Sequence, residues 1–403
     1  MKGKDLKPHI GIFGRRNNGK SSFINLLTGQ NVAIVSDHPG TTTDPVKKSV
    51  EIFGVGPAII IDTAGIDDSG DLGKLRIEKT MQVIPTIDLG IIILAENQFG
   101  VYENLLIEQF AYYDIPYIIV HNKTDIDPIT CEFSQAIHQI TGITPFSFST
   151  KDPSNLEDLV KLIKQTIPET AYIKPTLLKG IVKPKDIVLL VTPIDSEAPE
   201  GRMILPQVMA WRDVLDNDCI CISVKETELE DFFKLGIKPA LVVTDSQAFD
   251  FVSKIVPQDV MLTGFSVLFS KLRGDFHTFL KDTYAIDKLQ DGDKVLILES
   301  CTHHVSCDDI GRFKIPNWLK KYTGKDLEFD TFSGLSDINK PIDSYKLVVQ
   351  CGGCMVTRKQ LVSRLKPFIH AGIPVTNYGM AIAFMNGIFE RVTEPFKNVV
   401  IND

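Results

Sequence analysis

The sequence predicts an α/β chain laid out in three stretches, each alternating short apolar strands with helices. Three observations carry this. Glycine- and asparagine-rich motifs close the apolar runs of the first 169 residues. Pro168, Pro175 and Pro184 then interrupt the pattern. A fresh alternation starts at Ile187 and a third at Lys294, the last with cysteines following its strands. At 403 residues the chain is too long for one core. The boundaries read from the pattern are 1–169, a linker at 170–185, then 186–272 and 273–403.

The first strand is His9–Phe13, and Ser22–Thr28 reads as a helix. Between them, Gly14-Arg15-Arg16-Asn17-Asn18-Gly19-Lys20-Ser21 has the form of a phosphate-binding loop in its required strand–loop–helix context. Backbone N–H groups of Gly14 through Ser22 would wrap the phosphates, Asn17, Asn18 and Gly19 among them. Lys20 would reach the β- and γ-phosphates as a catalytic cation, and the Ser21 hydroxyl would ligate magnesium.

The next apolar run, Ala58–Ile61, leads into Asp62-Thr63-Ala64-Gly65. Asp62 would hold magnesium through water, and the Gly65 N–H would sense the γ-phosphate. A strand at Tyr117–His121 ends in Asn122-Lys123-Thr124-Asp125. The aspartate of this pattern accepts two hydrogen bonds from the guanine edge, which adenine does not offer, so the expected substrate is GTP. Phe148-Ser149-Thr150 occupies the last guanine loop, with Thr150 where alanine is usual. Pro39-Gly40-Thr41-Thr42-Thr43-Asp44 fits a switch segment whose threonine closes over magnesium. Thr42 is the favoured ligand and catalytic residue, with Thr43 the alternative.

Two details refine the expected chemistry. Ile66 follows Gly65, where many GTPases place a water-orienting glutamine, and an apolar side chain cannot orient water. Intrinsic hydrolysis should therefore be slow without help. Asn17 matches the loop asparagine of potassium-activated GTPases, which this stretch resembles through Gly14–Ser21 and Gly40–Asp44. That resemblance implies a potassium ion beside the phosphates; the plainer reading of Asn17 is a turn residue. The stretch closes with Ser154-Asn155-Leu156-Glu157, read as a capping box ahead of an apolar stripe.

In the middle stretch, strand-like runs fall at Ile187–Val191, Cys219–Val224, Ala240–Thr244 and Val260–Thr263, with a helix at Leu205–Leu215. No ordered set of catalytic residues is present there. Asp195, Glu197 and Glu200 read as a solvated loop. Cys219 and Cys221, two apart in a strand, face one side and read as buried small hydrophobes; Cys131 is read the same way.

The last stretch places Cys301 after the strand Lys294–Leu298, and Cys351 and Cys354 after the strand Lys346–Val349. Ligands of parallel sheets gather at the carboxyl ends of strands, so residues fifty apart can meet. The spacing admits a 4Fe-4S cluster on Cys301, Cys351 and Cys354, or a zinc site that adds His303, or plain unliganded cysteines. Seven cysteines, an odd count, read better as metal-binding or buried than as disulfides of a cytoplasmic protein.

The net charge of −8 argues against a protein built to grip nucleic acid. No signal peptide and no apolar run long enough for a bilayer is read from the sequence, so the expected location is the cytoplasm. The GTPase motifs alone would also fit an RNA-directed GTPase with a structural zinc site.

Taken over its whole length, the chain resembles the iron-only (FeFe) hydrogenase maturation GTPases, the HydF-type scaffolds. The resemblance rests on the GTPase motifs followed by Cys301-Thr302-His303 and, after a long gap, Gln350-Cys351-Gly352-Gly353-Cys354. It departs at Gln350, where many members carry histidine. The resemblance implies a GTPase domain followed by two smaller α/β domains, one for dimerisation and one for an iron-sulfur cluster. It implies a 4Fe-4S cluster on the three cysteines, with His303 the candidate fourth ligand. It further implies a homodimer, a transient two-iron precursor, two radical-SAM maturases as suppliers and apo FeFe-hydrogenase as recipient, with GTP hydrolysis governing partner exchange.

Overall fold

The structure, a computed structural model, describes residues 7–29, 45–66, 71–171, 176–194, 203–300, 309–334, 338, 340–353, 356–397 and 399. It divides into two compact units, Met1–Lys174 and Pro175–Asp403.

The first unit carries six strands: β1 (His9–Gly14), β2 (Val46–Ile52), β3 (Gly56–Asp62), β4 (Leu89–Leu94), β5 (Tyr117–His121) and β6 (Phe146–Ser147). They lie in the order β2-β3-β1-β4-β5-β6. Every pairing is parallel except β2 with β3, which runs antiparallel from Val46 opposite Asp62 to Ile52 opposite Gly56. All six residues of β4 are buried, as expected where helices cover both faces of a parallel sheet. The two-residue period of a strand divides its side chains. Ile91 and Ile93 join one core with Phe23 of the helix Lys20–Thr28 and Leu159 and Ile163 of the helix Leu156–Thr166. Ile92 and Leu94 join the opposite core with Leu106 and Phe110 of the helix Val101–Tyr112. Buried apolar area of this kind contributes about 25 cal/mol per Å² and is the main force closing the layers.

Two local expectations are corrected here. The helix Leu156–Thr166 is not entered through a Ser154–Glu157 box: its cap position is Asn155, which makes no capping bond and instead donates from Nδ2 to the Ser147 carbonyl at 2.8 Å. Cys131 is exposed rather than buried. It opens the helix Cys131–Thr141, whose first turn is capped by the Thr130 side chain and whose buried position is Ile137.

The second unit holds two parallel four-stranded sheets. One contains β7 (Ile187–Val191), β8 (Ile220–Val224), β9 (Leu241–Thr244) and β10 (Met261–Gly264), ordered β10-β9-β7-β8. The other contains β11 (Lys294–Leu298), β12 (Glu328–Phe332), β13 (Leu347–Gln350) and β14 (Val375–Asn377), ordered β12-β11-β13-β14. In both sheets the first strand lies between the second and the third, so the chain winds the same way twice. In such sheets the crevice between first and third strands is the topological switch point where ligands bind. One continuous core joins the two sheets, and Leu177 and Leu178, read from the sequence as linker, are fully buried in it. Cys219 is buried and its thiol donates to the Lys183 carbonyl at 3.1 Å. Cys221, half-buried on β8, has its pKa pushed up to about 11 by burial. No helix among the described residues is long and apolar enough to cross a membrane.

Candidate functional site: a nucleotide loop and a cysteine-bearing sheet edge

β1 runs directly into the phosphate loop, and the helix begins at Lys20. Gly19 adopts φ +88°, and a Cβ there would meet Asn122 Nδ2 at 2.4 Å, so the loop and the guanine strand approach too closely for any side chain. Two buried asparagines lock this approach. Asn18 Nδ2 donates to the Ile93 carbonyl at 2.8 Å, and Asn122 Nδ2 donates to the Asn18 carbonyl at 2.9 Å. Asn17 itself sits in the left-handed region at φ +62°, which asparagine tolerates. Lys20 curls over the loop, its Nζ donating to the Gly14 and Arg15 carbonyls at 2.9 and 2.8 Å. Ser21 and Ser22, partly buried, open the helix whose N-terminal dipole favours phosphate.

Asp62 closes β3. Burial pushes its carboxyl above the usual carboxylate range, while the Lys20 and Lys48 charges pull it down. Thr63 Oγ1 donates to the Ile12 carbonyl at 2.7 Å, tying this strand end to the phosphate-loop strand. Gly65 packs on the backbone of Arg16. Ile66 is buried in the core with Phe13, Ile59 and Ile61, which gives its apolar side chain a packing role.

The guanine side is equally ordered. Ser149 Oγ donates to Asp125 Oδ1 at 2.6 Å and accepts the Lys151 N–H at 3.1 Å. Thr150 contributes its backbone N–H to Asn122 Oδ1 at 3.2 Å, which explains why its side chain can depart from alanine. Lys123 is left-handed at φ +64°, with Nζ 3.6 Å from Glu96 Oε1. The phosphate loop, the β3 end and both guanine loops are thus assembled on one sheet edge. Thr42, its alternative Thr43 and the rest of 30–44 lie outside the described residues, as does 67–70.

In the second unit, β11 and β13 are neighbours, with Leu298 opposite Gln350. Cys351 directly follows β13. Its N–H donates to the Leu298 carbonyl at 2.9 Å, and its Sγ receives the Ser300 N–H at 3.0 Å. Gln350 is buried; its Nε2 donates to the Leu298 carbonyl, Ser300 Oγ and the Cys351 carbonyl at 3.0–3.2 Å, while its Oε1 has no hydrogen-bond partner among the described residues. A polar cluster centred on the buried Glu299 adjoins the end of β11. Glu299 accepts from Ser333 Oγ at 2.5 Å and pairs with Arg312 at 3.2 Å. Arg364 donates to the Glu299 and Phe332 carbonyls at 2.6 and 3.2 Å. Burial works against the Arg364 charge, and the nearby Cys351 is foremost among the groups that favour it. From the helix Phe265–Arg273, buried Arg273 donates to the Gly353 carbonyl at 2.6 Å and to the Val356 carbonyl, holding the loop on either side of position 354.

This edge has the chemistry of a sulfur-held group: Cys351 Sγ accepts the Ser300 N–H and lies near the half-buried Arg364 guanidinium. Cys301, His303 and Cys354 lie outside the described residues. Among the described residues, no set of three or more His, Cys, Asp or Glu side chains is gathered to hold a metal ion. Sequence reasoning missed Ser300, Arg273 and Arg364 here, and Arg15 with Glu103 in the first unit. The glutamate could have been found as the third helical residue after Gly100, where it caps its own helix.

Comparison with known proteins agrees with this layout. Residues 9–123 match the family model of 50S ribosome-binding GTPases, 177–274 that of the hydrogen maturase F dimerization domain, and 277–395 that of the hydrogen maturase F tetramerization domain. The tRNA modification GTPase MnmE of Chromobacterium violaceum is 38% identical over 119 residues, 29% of this chain and 26% of that protein. MnmE of Bacillus pumilus is 39% identical over 119 residues, 29% of this chain and 25% of that protein. The chain thus spans about a quarter of the length of these relatives, within the GTPase part alone. A crystal structure of Aquifex aeolicus Era shares 20% identity over 57% of this chain and 98% of that one, at a TM-score of 0.37, too loose a likeness to carry an argument. The protein is a GTPase, and with a GTPase module followed in order by two hydrogen maturase F modules, the chain belongs to the HydF-type hydrogenase maturation GTPases.

Proposed function

We propose that this GTPase is a scaffold that carries a 4Fe-4S cluster on Cys301, Cys351 and Cys354, with His303 as candidate fourth ligand, and hands a two-iron precursor to apo FeFe-hydrogenase. The observation that carries the reading is the Ser300–Cys351 contact at the β11/β13 switch point, inside a hydrogen maturase F module. Cys301 is the next residue after Ser300, so the backbone that presents one cysteine already touches the sulfur of another. A cluster with three thiolates supplies one iron site open to an exchangeable ligand. This chain's residues do the rest. Ser300 donates its N–H to Cys351 Sγ, Arg273 holds the Gly353 and Val356 carbonyls, and Gln350 organises the strand ends instead of ligating iron.

In the first unit, Ser21, Thr42 and Asp62 hold magnesium, Lys20 neutralises charge developing on the phosphates, and Asn17 helps hold a potassium ion there. Hydrolysis changes the switch segments at 40–44 and 65–70 and so governs exchange among the hydrogenase and two radical-SAM maturases. Assembly into a homodimer uses the exposed stripe Leu205, Val208, Trp211 and Leu215 on the helix Leu205–Asp216, together with Ile220 on the edge strand β8. All of these lie in the module named for dimerization.

The test is transfer. Cluster-loaded protein bearing precursor, mixed with apo-hydrogenase, should restore hydrogen evolution, and Cys354→Ala should not. Equal activation by the variant would refute the ligand assignment.

A further inference from the structure

The second residue of the phosphate loop, Arg15, is fastened to a residue that the nucleotide motifs do not include. Its Nε and Nη2 donate to the two carboxylate oxygens of Glu103 at 2.9 and 2.8 Å. Glu103 is 0% exposed, and its Oε2 also accepts the Gly100 N–H at 2.8 Å. The guanidinium additionally lies 5.6 Å from the centre of the Tyr102 ring. A fork-to-fork pair of this kind fixes direction as well as distance. A carboxylate so buried would be costly without its partner.

The pair reaches the chemistry through the main chain. The Arg15 carbonyl accepts a hydrogen bond from Lys20 Nζ. The other half of the loop is held independently, by Asn18 on Ile93 and by Asn122 on Asn18. Glu103 is itself held by a braced segment. Asn97, left-handed at φ +48°, donates from Nδ2 to Asp127 and to the Pro128 carbonyl at 3.1 Å, and accepts the Thr130 N–H at 3.1 Å. The segment leading into the Glu103 helix is therefore tied to the stretch just after the Asn122–Asp125 motif.

We infer that Glu103 and Arg15 form a clamp that positions Lys20 for GTP hydrolysis. Both are positioning residues, acting through the Arg15 carbonyl. The clamp holds Lys20 at the height where charge builds up on the transferring phosphoryl group, so its loss weakens the transition state more than the ground state.

The test is steady-state GTP hydrolysis by the full chain, comparing wild type with Glu103→Gln, Arg15→Met and Arg15→Lys, each corrected for folded fraction by circular dichroism. Glu103→Gln and Arg15→Met should each lower kcat about tenfold while KM moves less than threefold, the signature of an interaction made in the transition state. Arg15→Lys, which keeps a cation on the carboxylate but loses the fork, should fall between them and wild type. If Glu103→Gln does not fold, Arg15→Met alone decides. An unchanged kcat in a folded variant would overturn the clamp, and so would a loss confined to KM.

Discussion

The Ser300 N–H donates to Cys351 Sγ at 3.0 Å, joining residues 51 positions apart at the ends of adjacent strands. The contact is a consequence of winding order. β11 lies between β12 and β13, so Ser300, just past β11, and Cys351, just past β13, meet at one sheet edge. Three further groups bond to the neighbouring chain: Gln350 to Ser300 Oγ, Arg364 to the Glu299 carbonyl and Arg273 to the Gly353 carbonyl. None of the three needs to touch a metal to matter, because each fixes the backbone that presents a cysteine.

Base selection should follow the Ser149–Asp125 bond of 2.6 Å. Asp125→Asn replaces an acceptor with a donor facing the guanine edge. GTP affinity should fall roughly ten- to a hundredfold, the cost of an unpaired buried polar group, and xanthosine triphosphate should become the better substrate. Competition binding with the two nucleotides checks this; an unchanged preference would mean that the aspartate does not read the base.

Potassium should stimulate hydrolysis over sodium at equal ionic strength, and Asn17→Ala should remove the difference. Asn17 projects from a left-handed loop position beside Gly19 and Lys20. Rates measured in the two salts decide the matter, and equal rates in wild type would defeat the proposal.

The exposed helix stripe predicts the oligomer. Trp211→Glu places a charge in the middle of Leu205, Val208 and Leu215. Light scattering after size exclusion should show the variant shifted toward half the wild-type mass, with GTP hydrolysis unchanged. A variant that keeps the wild-type mass would move the interface elsewhere.

Thiol chemistry should separate the cysteines by environment. Exposed Cys131 should react with iodoacetamide in native protein at pH 7 to 8. Cys221, with its pKa raised to about 11, stays protonated across that range and should be modified only after unfolding. The raised pKa also means that the stability Cys221 contributes is intact below the ordinary thiol pKa and is lost as pH climbs through about 11. Peptide mapping of labelled protein checks both; rapid native labelling of Cys221 would contradict its burial.

Much of the site was legible in the sequence because phosphate and guanine recognition is local. Lys20, Asp62, Asn122 and Asp125 follow or close apolar runs that match β1, β3 and β5 with little shift, whereas Ser149 is marked by its motif alone and the two-residue β6 has no such run. β11 was read to the residue. What was missed depends on contacts remote in sequence. Glu103 and Arg15 are 88 apart, and Arg273 and Gly353 are 80 apart, so no spacing rule points from one to the other. β12 was missed because Glu-Phe-Asp-Thr-Phe is an edge strand, half-buried and half-polar, with little periodic signal. The capping box at Ser154 failed for a similar reason: a contact to Ser147, outside the motif, took the Asn155 side chain.

The central claim is that the cysteines behind the GTPase module hold an iron-sulfur cluster. The most direct measurement is the iron, sulfide and zinc content of anaerobically reconstituted protein, with low-temperature EPR of the reduced form, for wild type and Cys351→Ala. About four irons and four sulfides per chain with a cluster signal, both depleted in the variant, are the predicted result. Stoichiometric zinc without iron, or equal iron in the two proteins, would contradict it.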